Sequence, residues 1–173
     1  MQEQASLGRA TALSALIAGG SGAPVAARQL VTAELGEMLE LDSLYDLLLL
    51  TTELVTNAVL HAGVDETRTL HLQVDWENRL LHVSVFDPGG ESEPQVKKPD
   101  IEVPGGVGLF LVDQLSSRWG VDRGRNGSTQ VWFELPTGRD LSEELSGHRI
   151  ELPPATRVAP RAVPIANVTP ALN

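Results

Sequence analysis

A carboxylate, an amide and an imidazole recur at four-residue intervals in "TTELVTNAVLHAG": Glu53, Asn57 and His61. The stretch has the apolar content of a helix in Leu54, Val55, Ala58, Val59 and Leu60, and Gly63 stands where a helix would end. At about 3.6 residues per turn the three polar residues share one face. That face is either a solvated stripe or a carboxylate and an amide directed into a site. Asp42 and Asp46 project onto the same side, which favours the stripe. Leu49 and Leu50 interrupt it beside Glu53, and the amide of a mid-helix Asn57 competes for backbone hydrogen bonds. An amide there is better explained by an assigned partner.

Three further segments carry chemistry-bearing residues. In "VSVFDPGG", Asp87 ends an apolar strand. Its carboxylate can accept a hydrogen bond from an exocyclic amine such as that of adenine, and Gly89 and Gly90 allow close backbone approach. Asp-Pro-Gly is equally ordinary turn chemistry. In "PGGVGLFLVDQL", Gly105, Gly106 and Gly108 open an apolar helix, whose free N–H groups and dipole suit a phosphate. The alternative is a glycine hinge. No Gly-Lys-Ser/Thr follows, which excludes a Walker loop. A hairpin and a loop precede the glycines, which excludes a Rossmann fingerprint. In "GSTQVWFEL", Thr129 could offer a hydroxyl to a ligand or serve only as a β-former.

The elements that must position these residues follow from periodicity. Residues 1–23 read as a flexible lead-in with a short weak helix, and residues 25–39 as a helix after Pro24. Asp42 reads as the N-cap of a second helix running to about Ala62. "TRTLHLQVDW" and "RLLHVSVFD" alternate apolar and polar residues as half-buried strands do, with "ENR" as the hairpin turn. Residues 89–106 have no periodicity and read as a long loop. "GVGLFLVDQLSSRW" reads as a helix, followed by two strands about a turn at Asn126-Gly127. Residues 137–173 read as a proline-rich, disordered tail. This order predicts an α+β, two-layer sandwich: a mixed, mostly antiparallel sheet covered by helices on one face.

Composition narrows the functions. Hydrophobic residues make up 42% and charged residues 21% of 173 positions, which marks a globular chain. The absence of cysteine excludes thiol catalysis, thiolate zinc sites and disulfides. A net charge of -10 argues against nucleic acid as a partner. No apolar run approaches the roughly 20 residues of a membrane span, and "MQEQASLGR" is a poor leader, so a cytoplasmic, unanchored protein is expected.

Taken in order, Glu-x-x-x-Asn on a helix, Asp-x-Gly after a strand, Gly-x-Gly opening a helix and a final Gly/Thr strand resemble the Bergerat ATP-binding fold of the GHKL superfamily. More narrowly, "ELVTNAVLHAG", "VFDPGG", "GGVGLFLVDQLSSRWGV" and "VWFEL" resemble the actinobacterial anti-sigma-factor serine/threonine kinases. The resemblance covers about residues 24–136. It implies ATP and Mg²⁺ as cofactors, with Asn57 on the metal, whose preference is for hard oxygen ligands. It implies Glu53 as general base, Asp87 on the adenine amine, and Gly89, Gly106, Val107, Gly108 and Leu109 beside the nucleotide. Thr129 would lie near the adenine or a bridging water, and His61 would cap or pack. The implied reaction moves the ATP γ-phosphoryl group to a serine of an anti-anti-sigma (STAS-type) protein, and the implied second partner is a sequestered sigma factor. A homodimer is also compatible.

Two positions depart from many relatives. Val107 stands where a basic residue is common within Gly-x-Gly, and Ser128 where lysine is common. A non-catalytic, ATP-dependent protein-binding module therefore stands beside the kinase. Lys97 and Lys98, the only lysines, lie in the loop between Asp87 and Gly106. They are either solvated charges or phosphate contacts that replace the two absent ones.

Overall fold

The computed structural model describes residues 9–88, 107–124 and 127–138. Its elements are β1 (Arg9–Ala18), α1 (Ala23–Leu35), α2 (Leu41–His61), β2 (Thr69–Glu77), β3 (Leu80–Asp87), α3 (Val107–Leu115), β4 (Arg118–Arg123) and β5 (Thr129–Pro136). The strands form one sheet in the order β1-β2-β3-β5-β4, and all four pairings are antiparallel. The α+β sandwich is as expected, with no parallel pair among the described strands.

The sheet has one apolar face. Leu70, Leu72, Val74 and Trp76 of β2 alternate with His71, Gln73 and Asp75. Leu81, Val83 and Val85 of β3 and Val131, Phe133 and Leu135 of β5 continue the apolar side. α2 packs against β3 and β5 from that side and against α1 and α3 laterally. The opposite face carries His82, Ser84, Phe86, Gln130, Trp132 and Glu134 by the same period of two.

Residues 9–18 correct the reading of a flexible lead-in. They form an edge strand on β2, with Leu13, Ala15 and Ile17 turned into the core. The alternation in "LSALIA" is genuine, but alanine is a poor strand former and hides it. A register irregularity between Thr11 and Leu13 lets the adjacent Ala12 and Leu13 both be buried.

Three boundaries also move. α1 stops at Leu35, where the Gly36 N–H donates to Thr32 O, rather than at Leu39. Glu40, in an extended conformation and with no side-chain cap hydrogen bond, is the N-cap of α2, so Asp42 lies in the first turn. α3 ends at Leu115, and Arg118 and Trp119 belong to β4. The reason is a contact across the fold: Ser117 donates from both its N–H and its hydroxyl to Glu134 O, which draws the chain onto β5.

The hairpin at "ENR" closes through Asn78, whose φ of 57° is a left-handed conformation that asparagine tolerates. By length and composition α2 could cross a membrane, against the sequence expectation that no segment would. Here Leu47, Leu50, Leu54 and Val55 are covered by protein instead. The loop 89–106 and the tail from residue 139 lie outside the described residues, as does Asn126 of the expected Asn126-Gly127 turn.

Candidate functional site at the α2–α3 junction

α2 places Glu53 and Asn57 one turn apart on the side that meets α3. Glu53 is half-buried, and loss of solvent pushes its carboxyl above the ordinary value of 4.5. The Asn57 amide nitrogen is sealed from solvent and has no hydrogen-bond partner among the described residues. An unpaired buried donor costs about 1–3 kcal/mol. Thr51 Oγ1 and Trp76 Nε1 are likewise buried without a partner among the described residues, and Asn57 differs from them in lying at the junction with α3.

Gly108, in the first turn of α3, closes against this pair. A Cβ at that position would overlap the Glu53 Oε2 and lie 3.3 Å from Asn57 Nδ2. A side chain at this position would have to displace the Glu53 carboxylate, so glycine lets the α3 backbone stand against the pair in its present arrangement. The N–H groups of Val107, Gly108 and Leu109 lie in the first turn, where a helix has no internal partners for them. The Leu109 side chain is buried in the core, so only its backbone is available to a ligand.

Asp87 and Thr129 form a second pair. They are direct cross-strand partners at the ends of β3 and β5, and they are 6% and 5% exposed. The strand alternation turns both toward the helix side of the sheet, the side on which α2 crosses β3 and β5. The Asp87 carboxylate is thus buried at the sheet end with a hydroxyl-bearing neighbour.

The structure therefore joins Glu53, Asn57 and Gly108, and separately joins Asp87 and Thr129. His61 is exposed in the last turn of α2. Gly89, Gly106, Lys97 and Lys98 lie outside the described residues. Sequence reasoning passed over a third polar group on the open sheet face, centred on Asp75. Its donors Arg9 and Thr11 stand 66 and 64 positions away along the chain, and no local spacing signals it.

With this geometry in place, the match to known proteins has a structural counterpart. The family model of the histidine kinase-like ATPase domain matches residues 23–135. The chain belongs to the histidine kinase-like ATPase domain family, and its domain is an ATP-binding one of the GHKL type. β1 lies ahead of the matched region. No curated protein matches the chain.

Proposed function

We propose that the protein is a regulatory serine kinase of the anti-sigma-factor type. The observation that supports this most is the desolvated Glu53 carboxylate standing beside Asn57 and against Gly108. A carboxylate with a raised pKa is a better proton acceptor than an ordinary one, which is what a general base for a hydroxyl requires.

The residues fit a Mg²⁺-nucleotide. Asn57 offers a carboxamide whose nitrogen lacks a partner among the described residues, and the oxygen of such a group is a hard-cation ligand. Mg²⁺ when bound neutralises charge between the phosphates. The first turn of α3, whose N–H groups have no intrahelical partners, stands at the same junction, and Asp87 with Thr129 would take the adenine amine. Glu53 then accepts the proton of a partner serine hydroxyl. The serine oxygen bonds to the γ-phosphorus as the bond to the β–γ bridging oxygen breaks, and ADP leaves. Positioning and charge neutralisation carry most of such a rate. The phosphoserine adds about -1.5 to -2 charge, enough to alter docking of an anti-anti-sigma partner and so the hold on a sigma factor.

A second reading rests on Val107 and Ser128, which leave the phosphates with less positive charge than a basic residue at either position would provide. In that reading ATP only switches partners. One experiment separates the two. The protein is incubated with Mg²⁺, γ-labelled ATP and candidate anti-anti-sigma proteins. Label on a partner serine supports the kinase, and tight ATP binding without transfer selects the binding module.

A further inference from the structure

The outer surface of α1 and α2 exposes apolar side chains that no described part of the chain covers. Leu41 is 82% and Tyr45 68% exposed, and Leu48 continues the same stripe one turn further on. Leu48 with Val25, Arg28, Gln29, Thr32 and Ala33 of α1 lines a groove of about 620 Å³. The chain leading into the Leu41 end is acidic: Glu34, Glu37 and Glu40 occur with no lysine or arginine between Gln29 and Glu53. Exposed apolar surface with a charged margin is the signature of a contact site.

The end of the described body lies beside this surface. Gly138 follows β5, and a Cβ there would stand 3.9 Å from Glu40 Oε2, one residue before Leu41. The chain beyond this point changes character. Residues 157–173, "RVAPRAVPIANVTPALN", contain two arginines and no acidic residue in a chain of net charge -10. Val158, Val163, Ile165, Val168 and Leu172 are apolar, and Pro160, Pro164 and Pro170 favour an extended form that pays little entropy on docking. At roughly 3.3 Å per residue, residues 139–156 reach the groove with length to spare.

We propose that residues 157–173 dock on the α1–α2 surface of the same chain. Arg157 and Arg161 meet the acidic end near Leu41 and Tyr45. The uncharged remainder, from Ala162 on, lies along Leu48 toward Arg28, where a further cation would be repelled. The docked segment covers the side of α1 and α2 away from the α3 junction, so the nucleotide site stays open.

The test uses the full chain, in which Tyr45 is the only tyrosine and there is no cysteine. Fluorotyrosine gives one fluorine resonance, at Tyr45, and a spin label on Ala171→Cys gives one paramagnetic centre. Docking broadens the resonance in the doubly labelled chain, and excess unlabelled protein leaves the broadening unchanged. Leu48→Glu or removal of residues 157–173 abolishes it, while ATP affinity stays within about twofold. A sharp resonance in the doubly labelled chain overturns the proposal. So does broadening that disappears on dilution and reappears between separately labelled chains, because a second copy would then be the occupant. A large change in ATP affinity on removal of 157–173 would place the segment at the nucleotide site and equally overturn it.

Discussion

The α2–α3 junction and the open face of the sheet both bury polar side chains, and they do so in opposite ways. On the open face the Asp75 carboxylate, 4% exposed, accepts from Arg9 Nε at 3.1 Å, Thr11 Oγ1 at 2.8 Å and Gln73 Nε2 at 2.8 Å. Arg9 also closes an ion pair at 2.9 Å. Beside it, Gln130 donates to Ser84, and Trp132 donates to Asp122. At the junction, burial alone displaces the Glu53 pKa, and the Asn57 nitrogen has no partner among the described residues. A network whose members satisfy one another stiffens a scaffold. A pair left short is what a ligand can complete. The close fit of glycine tells the same story twice. Gly108 admits a backbone to the junction, whereas Gly120 on β4 merely makes room for the Trp132 ring opposite it.

The comparison breaks most sharply at Glu53. Glu53→Gln keeps shape and hydrogen bonding but removes the base, so phosphotransfer should fall by about 10²–10⁴-fold while ATP binding persists. A single-turnover rate equal to the parent's would remove Glu53 from the role. The same variant tests the desolvation. A carboxyl whose folded pKa is raised contributes stability below 4.5 and loses it as pH rises through the folded value. Glu53→Gln should therefore be more stable than the parent at neutral pH, with the difference shrinking toward pH 4, as read from urea midpoints.

Nucleotide affinity is the next largest effect. Asn57→Ala should weaken Mg-ATP by tenfold or more, about 1.4 kcal/mol. Asp87→Asn should cost a similar amount, since a charge-assisted hydrogen bond contributes about 1.5–3 kcal/mol. Calorimetry showing both variants binding like the parent would make the junction as structural as the open face.

Asp75→Ala is the converse experiment. It strands Arg9, Thr11 and Gln73, so unfolding free energy should drop by about 1–3 kcal/mol while ATP affinity is unchanged. A selective loss of ATP affinity with stability intact would give the open face a functional part.

The smallest effect concerns His82, which stacks on Trp132 and lies 3.8 Å from Glu134. Burial, aided by Arg9, lowers its pKa from 6.5. The unfolded chain therefore takes the proton first, and stability is lost as pH falls from about 6.5 through the folded value. His82→Gln should flatten that acid slope in thermal-unfolding scans. A slope identical to the parent's would show that His82 is not held neutral by the sheet.

Much of the fold was legible because it is written in neighbours. The change from helical spacing in α2 to alternation in β2 and β3 needs only a few residues to be seen, and so does the shared face of Glu53 and Asn57. β1 was missed because its inward positions include alanines, whose strand preference is weak, and because β2 rather than β1 itself decides that it forms. The Arg118 boundary was missed for a related reason. The hydroxyl of Ser117 acquires meaning only through Glu134 on a distant strand.

Local pattern settled the type of every element but β1, the single apolar face of the sheet and the residue types able to bind a nucleotide. Tertiary structure alone decided that Gly108 abuts Glu53 and Asn57, that Asp87 lies opposite Thr129, and that the carboxylate of Asp75 is paired with Arg9 while that of Glu53 is desolvated. The physical reason is range. Periodicity acts over one or two turns of chain, whereas desolvation, hydrogen-bond satisfaction and steric closeness depend on which distant segments the register and the packing bring together.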